Sequence, residues 1–186
     1  ELARAICEAV AAEVEPARVL RMALSSVSRI LVAGPVALYL YAPDAPDAPD
    51  GASLVREAEV DGSVSGDRER LSSDRGLTGT VCLTGGLVVV EDPAADVRFD
   101  AQVDTAADGV ARGMLCVSIK LRDKGVGVLR AFFEPGRCPS PRTAEILSAA
   151  FSAAVRNILL YRSLLQSIEE LATARREARG DRQMPR

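Results

Sequence analysis

Two alternating runs joined by Asp123-Lys124-Gly125 constrain this chain more than any other feature. In the first, Leu115, Val117, Ile119 and Leu121 alternate with Met114, Cys116, Ser118 and Lys120. Successive strand side chains point to opposite faces, so one face is apolar and the other mixed. The second run ends at Phe133. Read as a hairpin with a three-residue loop and a left-handed Gly125, the pair sets Ile119 opposite Leu129 and Val117 opposite Ala131. Ser118 then falls opposite Arg130, and Cys116 opposite Phe132. A two-residue loop would place Arg130 among the apolar set, so three is preferred. The apolar face calls for a helical layer. The polar stretch 94–112, with anchors at Val97, Phe99 and Val103, reads as a lid over the other face. A lid that leads into a hairpin encloses a ligand, which points to sensing rather than catalysis.

The remaining segments supply the layers this hairpin needs. Residues 2–14 and 16–32 read as helices, the second opening at Pro16 and carrying Val19, Leu20, Ala23, Leu24, Val27 and Leu31 at helical spacing. Gly34-Pro35 is expected to stop it. Val36 to Tyr41 is apolar on both faces, as a central strand requires. Residues 42–50 repeat Ala-Pro-Asp and form a projecting loop that cannot pack a core. Ser53 to Val60 is a strand ending at Asp61-Gly62, and the polar stretch to Asp74 shows no apolar period. Residues 75–86 suit a short glycine-bracketed helix, and Leu87 to Val90 a strand. A long helix spans 141–178, where Phe151, Ala154, Ile158, Tyr161, Leu165 and Ile168 step by three and four as a heptad seam. Its first half is broad enough to cover the sheet as well. An exposed stripe of Leu164, Leu165, Ile168 and Leu171 in the second half calls for another copy of the chain.

Composition excludes several classes of function. At 186 residues and 48% apolar, the chain fits one domain with a helical extension. No uninterrupted apolar run approaches the roughly 20 residues of a membrane span, so no membrane partner is expected. No charged-then-apolar signal segment opens the chain, which makes a cytoplasmic location the default. The net charge of −3 provides no basic field, and the few aromatics form no stacking series beside Lys or Arg, so no nucleic acid is expected. There is no histidine. Its absence removes the usual haem and zinc ligands and the commonest general base. The four cysteines, Cys7, Cys82, Cys116 and Cys138, show no metal-ligand spacing and read as buried thiols.

In order along the chain, Arg75-Gly-Leu-Thr-Gly-Thr-Val-Cys-Leu-Thr-Gly85, Glu91-Asp-Pro-Ala-Ala-Asp-Val-Arg-Phe99, Met114-Leu-Cys-Val-Ser-Ile119, Gly125-Val-Gly-Val-Leu129 and Ala154-Val-Arg-Asn-Ile-Leu-Leu-Tyr161 resemble a GAF domain. The likeness covers roughly residues 16–165. It implies an α+β, GAF-like (PAS-like) fold: a central antiparallel sheet of five to six strands, terminal helices on one face, and lid loops with short helices on the other. Residues 1–15 are then an N-terminal helix and 166–186 a helical linker toward an output domain such as a kinase, cyclase, phosphatase or transcriptional activator. In outline the chain is most similar to the GAF domains of cyclic-nucleotide phosphodiesterases and cyclases, but the Asn-Lys-Phe-Asp-Glu signature of their nucleotide-binding subset is missing. Bilin-binding relatives rely on a histidine that this chain lacks. No haem, bilin or zinc is expected, and a cyclic nucleotide stays open. A related family reduces methionine sulfoxide with a cysteine in the lid, and residues 96–112 contain none.

The expected function is therefore small-molecule sensing by a homodimer signalling through its C-terminal helices, not enzymatic. The alternative is a ligand-free dimerisation or protein-interaction module. The ligand-site candidates are Asp61, Thr78, Gly79, Thr80, Phe99, Asp104, Cys116, Ser118 and Arg130. Asp61 falls near where the similar domains hold a purine, although Asp-Gly also makes a turn. The amides of Thr78-Gly79-Thr80 at a helix start donate to an anion, or Thr simply caps the helix. Asp104 accepts from a heterocycle's N–H groups, and Phe99 either stacks or anchors the lid. Cys116 would support a residual redox role only if it faced the pocket with a thiol pKa lowered by Arg130. Arg130, in a central strand, requires a lid carboxylate (Asp100, Asp104 or Asp108), a solvent-exposed face, or a ligand's anionic group.

Overall fold

The computed structural model describes residues 16–42, 53–61, 70–106, 108–110, 112–121 and 123–180. The expected helix 2–14, the Ala-Pro-Asp loop from residue 43 and the polar stretch 62–69 lie outside them. Helix α1 (Pro16–Leu31) leads into strand β1 (Ala33–Ala42), followed by β2 (Ser53–Val60), β3 (Arg70–Ser72) and helix α2 (Gly76–Thr84). Strand β4 (Leu87–Val90), a 3-10 turn (Pro93–Ala95) and the one-turn helix α3 (Ala101–Asp104) come next, then β5 (Gly113–Leu121), β6 (Lys124–Phe133) and helix α4 (Pro141–Gly180). The six strands form one antiparallel sheet in the order β3-β2-β1-β6-β5-β4.

Alternation along the central strands divides the interior into two cores. Val36, Leu38, Leu115, Val117, Ile119, Leu129, Ala131 and Phe133 meet the α1 stripe and the first half of α4. Ala37, Tyr39, Met114, Cys116, Val128 and Phe132 face α2 and the lid, joined by Leu77, Val81 and Val103. The α1 stripe is buried as its spacing dictates, each of its six residues at most 5% exposed. Helix α1 stops earlier than Gly34-Pro35 suggests: Val32 turns the chain with φ of 48°, and Gly34 and Pro35 already belong to β1. Proline supplies no ladder donor, and the β1–β6 register shifts between Ala33 and Val36.

The hairpin corrects the expected register while preserving its faces. The loop between paired Leu121 and Lys124 has two residues, and Asp123, rather than Gly125, takes the left-handed conformation with φ of 65°. Aspartate tolerates that region through local hydrogen bonding. A two-residue loop by itself would swap the faces, but one extra residue, Val126, is inserted between the pairs Lys120↔Gly125 and Ile119↔Gly127. This bulge restores the parity. Val117 therefore pairs with Leu129, Leu115 with Ala131, Cys116 with Arg130, Met114 with Phe132 and Ser118 with Val128. A second bulge, at Glu57 opposite Leu38/Tyr39, turns Leu54 toward the lid core and Ala58 and Val60 toward the helices. Strand β3 escapes a periodicity reading because it is a three-residue edge in which Leu71 alone is buried.

In α4 the expected continuous seam is split. Ser140 caps the helix, its hydroxyl accepting from the Thr143 amide at 3.2 Å. Ala144, Leu147, Phe151, Ala154, Val155 and Ile158 are then consumed by the chain's own sheet. From residue 162 to 176 the helix is exposed, with Leu164, Leu165, Ile168 and Leu171 at 57%, 38%, 52% and 71%. The helix holds an 18-residue window of mean hydropathy 1.3, long and apolar enough to cross a membrane by composition. The absence of an uninterrupted apolar run concealed this window. A core helix meets the same description, and Ala144, Leu147, Phe151, Ala154, Val155 and Ile158 of this one pack on the sheet side.

Gly127 is the tightest crossing in the sheet, since a Cβ there would fall 2.0 Å from the Tyr39 carbonyl oxygen. Gly127→Ala should force β1 and β6 apart and lower unfolding free energy by about 1–3 kcal/mol, read from urea denaturation. A change under about 0.5 kcal/mol would contradict this packing.

Candidate functional site

Between the end of β4, the lid and the ends of β5 and β6 lies a cavity of about 530 Å³. Phe132 and Pro135 form part of its floor, Phe99, Thr105, Ala106 and Val110 its lid, and Glu91, Asp92 and Arg112 its polar rim.

The lid is held by three carboxylates, each with a different partner. Asp100 caps α3 by accepting from the Gln102 amide at 2.9 Å and pairs with Arg75 at 2.6 Å. Asp108 pairs with Arg112 at 2.7 Å, and Arg112 also reaches Glu134 at 3.1 Å. The guanidinium beside Asp108 holds that carboxyl below the usual carboxylate range. Asp104, 1% exposed, is the centre of the arrangement. One of its oxygens accepts from the Leu77 amide at 2.7 Å and the Asp100 amide at 3.0 Å. The other accepts from the Thr78 amide at 3.1 Å and the Thr78 hydroxyl at 2.8 Å. The chain's own carboxylate thus sits at the α2 N-terminus, where orphan amides and the helix dipole favour an anion. Gly76 makes room: a Cβ there would lie 2.3 Å from Asp104 Oδ2, at a φ of 73°.

These contacts decide where the sequence candidates stand. Phe99 and Asp104 line the cavity. Two of the three amides expected to hold a ligand anion are already engaged, Thr78 donating to Asp104 and Gly79 to the Arg75 carbonyl at 2.8 Å, while the Thr80 hydroxyl donates to the Gly76 carbonyl at 3.1 Å. Asp61 lies on the other side of the sheet, where it accepts from the Ser28 hydroxyl of α1. Ser118 and Cys116 are buried on the Arg130 face without lining the cavity. Burial pushes the Cys116 thiol up to about 12, and the opposing pull of Arg130 is the smaller effect, so the condition for a redox role at Cys116 is not met.

Arg130 is 2% exposed and has none of the three lid carboxylates as a partner. Its Nη2 donates to the Thr105 carbonyl at 3.3 Å, and its Cζ lies 5.1 Å from the centroids of both the Tyr39 and Phe132 rings. The rings stabilise the charge through their faces but accept no in-plane hydrogen bond. Nε and Nη1 are buried without a partner. Sequence reasoning missed Arg112, Thr105 and Tyr39. Tyr39 was legible as the residue alternating with Leu38. Arg112 stands four residues after Asp108, a spacing that pairs on a helix but occurs here in a loop.

The GAF domain family model matches residues 15–158. In structure the chain is similar to the GAF domain from Acinetobacter phosphoenolpyruvate-protein phosphotransferase, at 17% identity and a TM-score of 0.66, covering 89% of this chain and 95% of that one. It is also similar to a methyl-accepting chemotaxis protein (residues 122 to 287) at 16% identity and TM-score 0.62, with coverage of 87% and 98%. Free methionine-R-sulfoxide reductase from Neisseria meningitidis, solved with its substrate, matches at 21% identity and TM-score 0.57, with coverage of 84% and 90%.

Asp104→Ala should strand three amides and a hydroxyl and cost about 2–4 kcal/mol, with faster hydrogen exchange at Leu77 and Thr78; unchanged protection there would contradict the capping role. The raised Cys116 pKa carries its own sign. Folding favours the neutral thiol, so that contribution is fully present below the unfolded value near 9 and is lost as pH rises toward about 12. Melting temperature should therefore fall over that window, and fall less steeply in Cys116→Ala.

Proposed function

The chain belongs to the GAF domain family, its model matching residues 15–158, and from that premise we propose a small-molecule-sensing regulatory domain of a bacterial-type signal-transduction protein. The observation that carries this reading is the cavity of about 530 Å³ between sheet and lid, a size typical of small-ligand sites. Residues 16–165 form the sensing unit and 166–186 a linker toward an output domain, in a cytoplasmic setting. A kinase, cyclase, phosphatase or transcriptional activator would suit that output equally. The presence of similar domains in a phosphotransferase and a chemotaxis protein supports a regulatory role.

One strand's thickness separates the cavity from the output helix. Phe132 borders the cavity, while its neighbours Ala131 and Phe133 share a core with Phe151 and Val155 of α4. A ligand that binds one lid arrangement better than another shifts the population of arrangements. The output then changes by no more than that difference in affinity. The exposed stripe Leu160, Leu164, Leu165, Ile168 and Leu171 suits a parallel pairing of two α4 helices. Reductase chemistry fits the chain less well, because residues 96–112 hold no cysteine and the Cys116 thiol is buried and neutral.

Native mass spectrometry of the purified chain tests both halves of the proposal. We expect twice the chain mass of 19.7 kDa with a small molecule released on activation, and a single chain mass for Ile168→Glu. A bare polypeptide, with no metabolite raising its melting temperature, would favour the ligand-free interaction module.

A further inference from the structure

The orphaned guanidinium at the back of the cavity deepens this reading. We infer that the ligand is a small organic monocarboxylate whose anionic end pairs with Arg130, an inference that rests on the sensing function proposed above.

Arg130 is a fixed charge in a central strand, 2% exposed, with Nε and Nη1 unpartnered. Buried charges are ordinarily paired, and the three carboxylates within the lid's reach are taken. Asp100 and Asp108 hold Arg75 and Arg112. Both oxygens of Asp104 already accept two hydrogen bonds each. Nη2 carries two hydrogens, one beside Nε and one beside Nη1. Whichever of them the Thr105 carbonyl takes, a two-donor edge remains open, either Nε with Nη2 or Nη1 with Nη2. Two coplanar oxygens complete such an edge, as in a carboxylate.

The surroundings narrow the class. Thr105 and Phe132, which the guanidinium contacts, both line the cavity, so the guanidinium lies one residue behind its wall. A carboxylate is a stronger acceptor than the neutral Thr105 carbonyl 3.3 Å away, and access to the open edge from the cavity requires Thr105 or Phe132 to move aside. Phe99, Val110 and Phe132 offer an apolar body its contacts, while Glu91 and Asp92 on the rim repel a second negative end and the rim's Arg112 is already paired with Asp108 and Glu134. A monoanion with an apolar body is favoured over a dianion.

Thermal-shift measurements on the full chain test this with butyrate, hexanoate, benzoate and phenylacetate, each beside its neutral amide, and with succinate. At least one monocarboxylate should raise the melting temperature by about 3–6 °C at roughly ten times its Kd, its amide should not, and succinate should act more weakly. Arg130→Met should abolish the response with no loss of ligand-free stability, because it removes an unpaired buried charge. Arg130→Lys, which keeps the charge without the planar edge, should weaken binding about tenfold or more. The inference is overturned if no carboxylate shifts the unmodified chain, if the amides act equally, or if both variants respond like the parent. A neutral molecule retained in native mass spectrometry would overturn the inference and leave the sensing function standing. No retained molecule and no response to any compound would remove both.

Discussion

The lid side of this molecule depends on one carboxylate. Asp104 gathers the first amides of α2, the Thr78 hydroxyl and the Asp100 amide, and so ties two short helices that could not stand alone. Helix α2 spans nine residues and α3 four. Neither has the length to be stable by propensity, and the packing of Leu77, Val81 and Val103 on the sheet supplies the rest. Because Asp104 also lines the cavity, the group that holds the lid together borders the space beneath it.

The other interior is built on simpler terms. Helix α1 and the first half of α4 bury an apolar stripe against an apolar sheet face, and the buried charged residues among the described ones, Asp104 and Arg130, lie on the lid side. That contrast separates the two faces functionally. The helical face contributes cohesion, while the lid face contains Thr78, Asp104, Ser118 and Arg130, most of the chain's buried polar side chains among the described residues. Polar burial of this kind costs stability unless it is satisfied, and at Arg130 it is only partly satisfied.

Much of the fold was legible because it follows from period and punctuation. The α1 stripe, the double-sided β1, the glycine-bracketed α2 and the apolar face of β5 and β6 all follow from spacing. The site was harder to read. Periodicity put Arg130 on the lid side, but identifying its neighbours needed the partners of Asp100, Asp104 and Asp108. Of those partners, Arg75 and the α2 amides sit at separations that no local pattern encodes, and Arg112, four residues from Asp108, pairs with it in a loop rather than on a helix. The three-residue loop was preferred because a bulge leaves no mark in an alternating run. A stripe that packs on a sheet and one that packs on a partner helix share the same spacing, so the α4 periodicity does not mark where burial against the sheet ends.

The extra residue of β6 at the hairpin bulge is Val126. This single inserted residue works as a phase corrector between a turn and a ladder that would otherwise disagree about which way Arg130 points. Length variation in the hairpin is therefore quantised: gaining or losing two residues shifts the pairing but spares each side chain's direction, whereas one residue inverts the outer half of a strand. Alignments of relatives that open a one-residue gap here will assign the wrong side chain to the buried cationic position, even when every flanking residue matches.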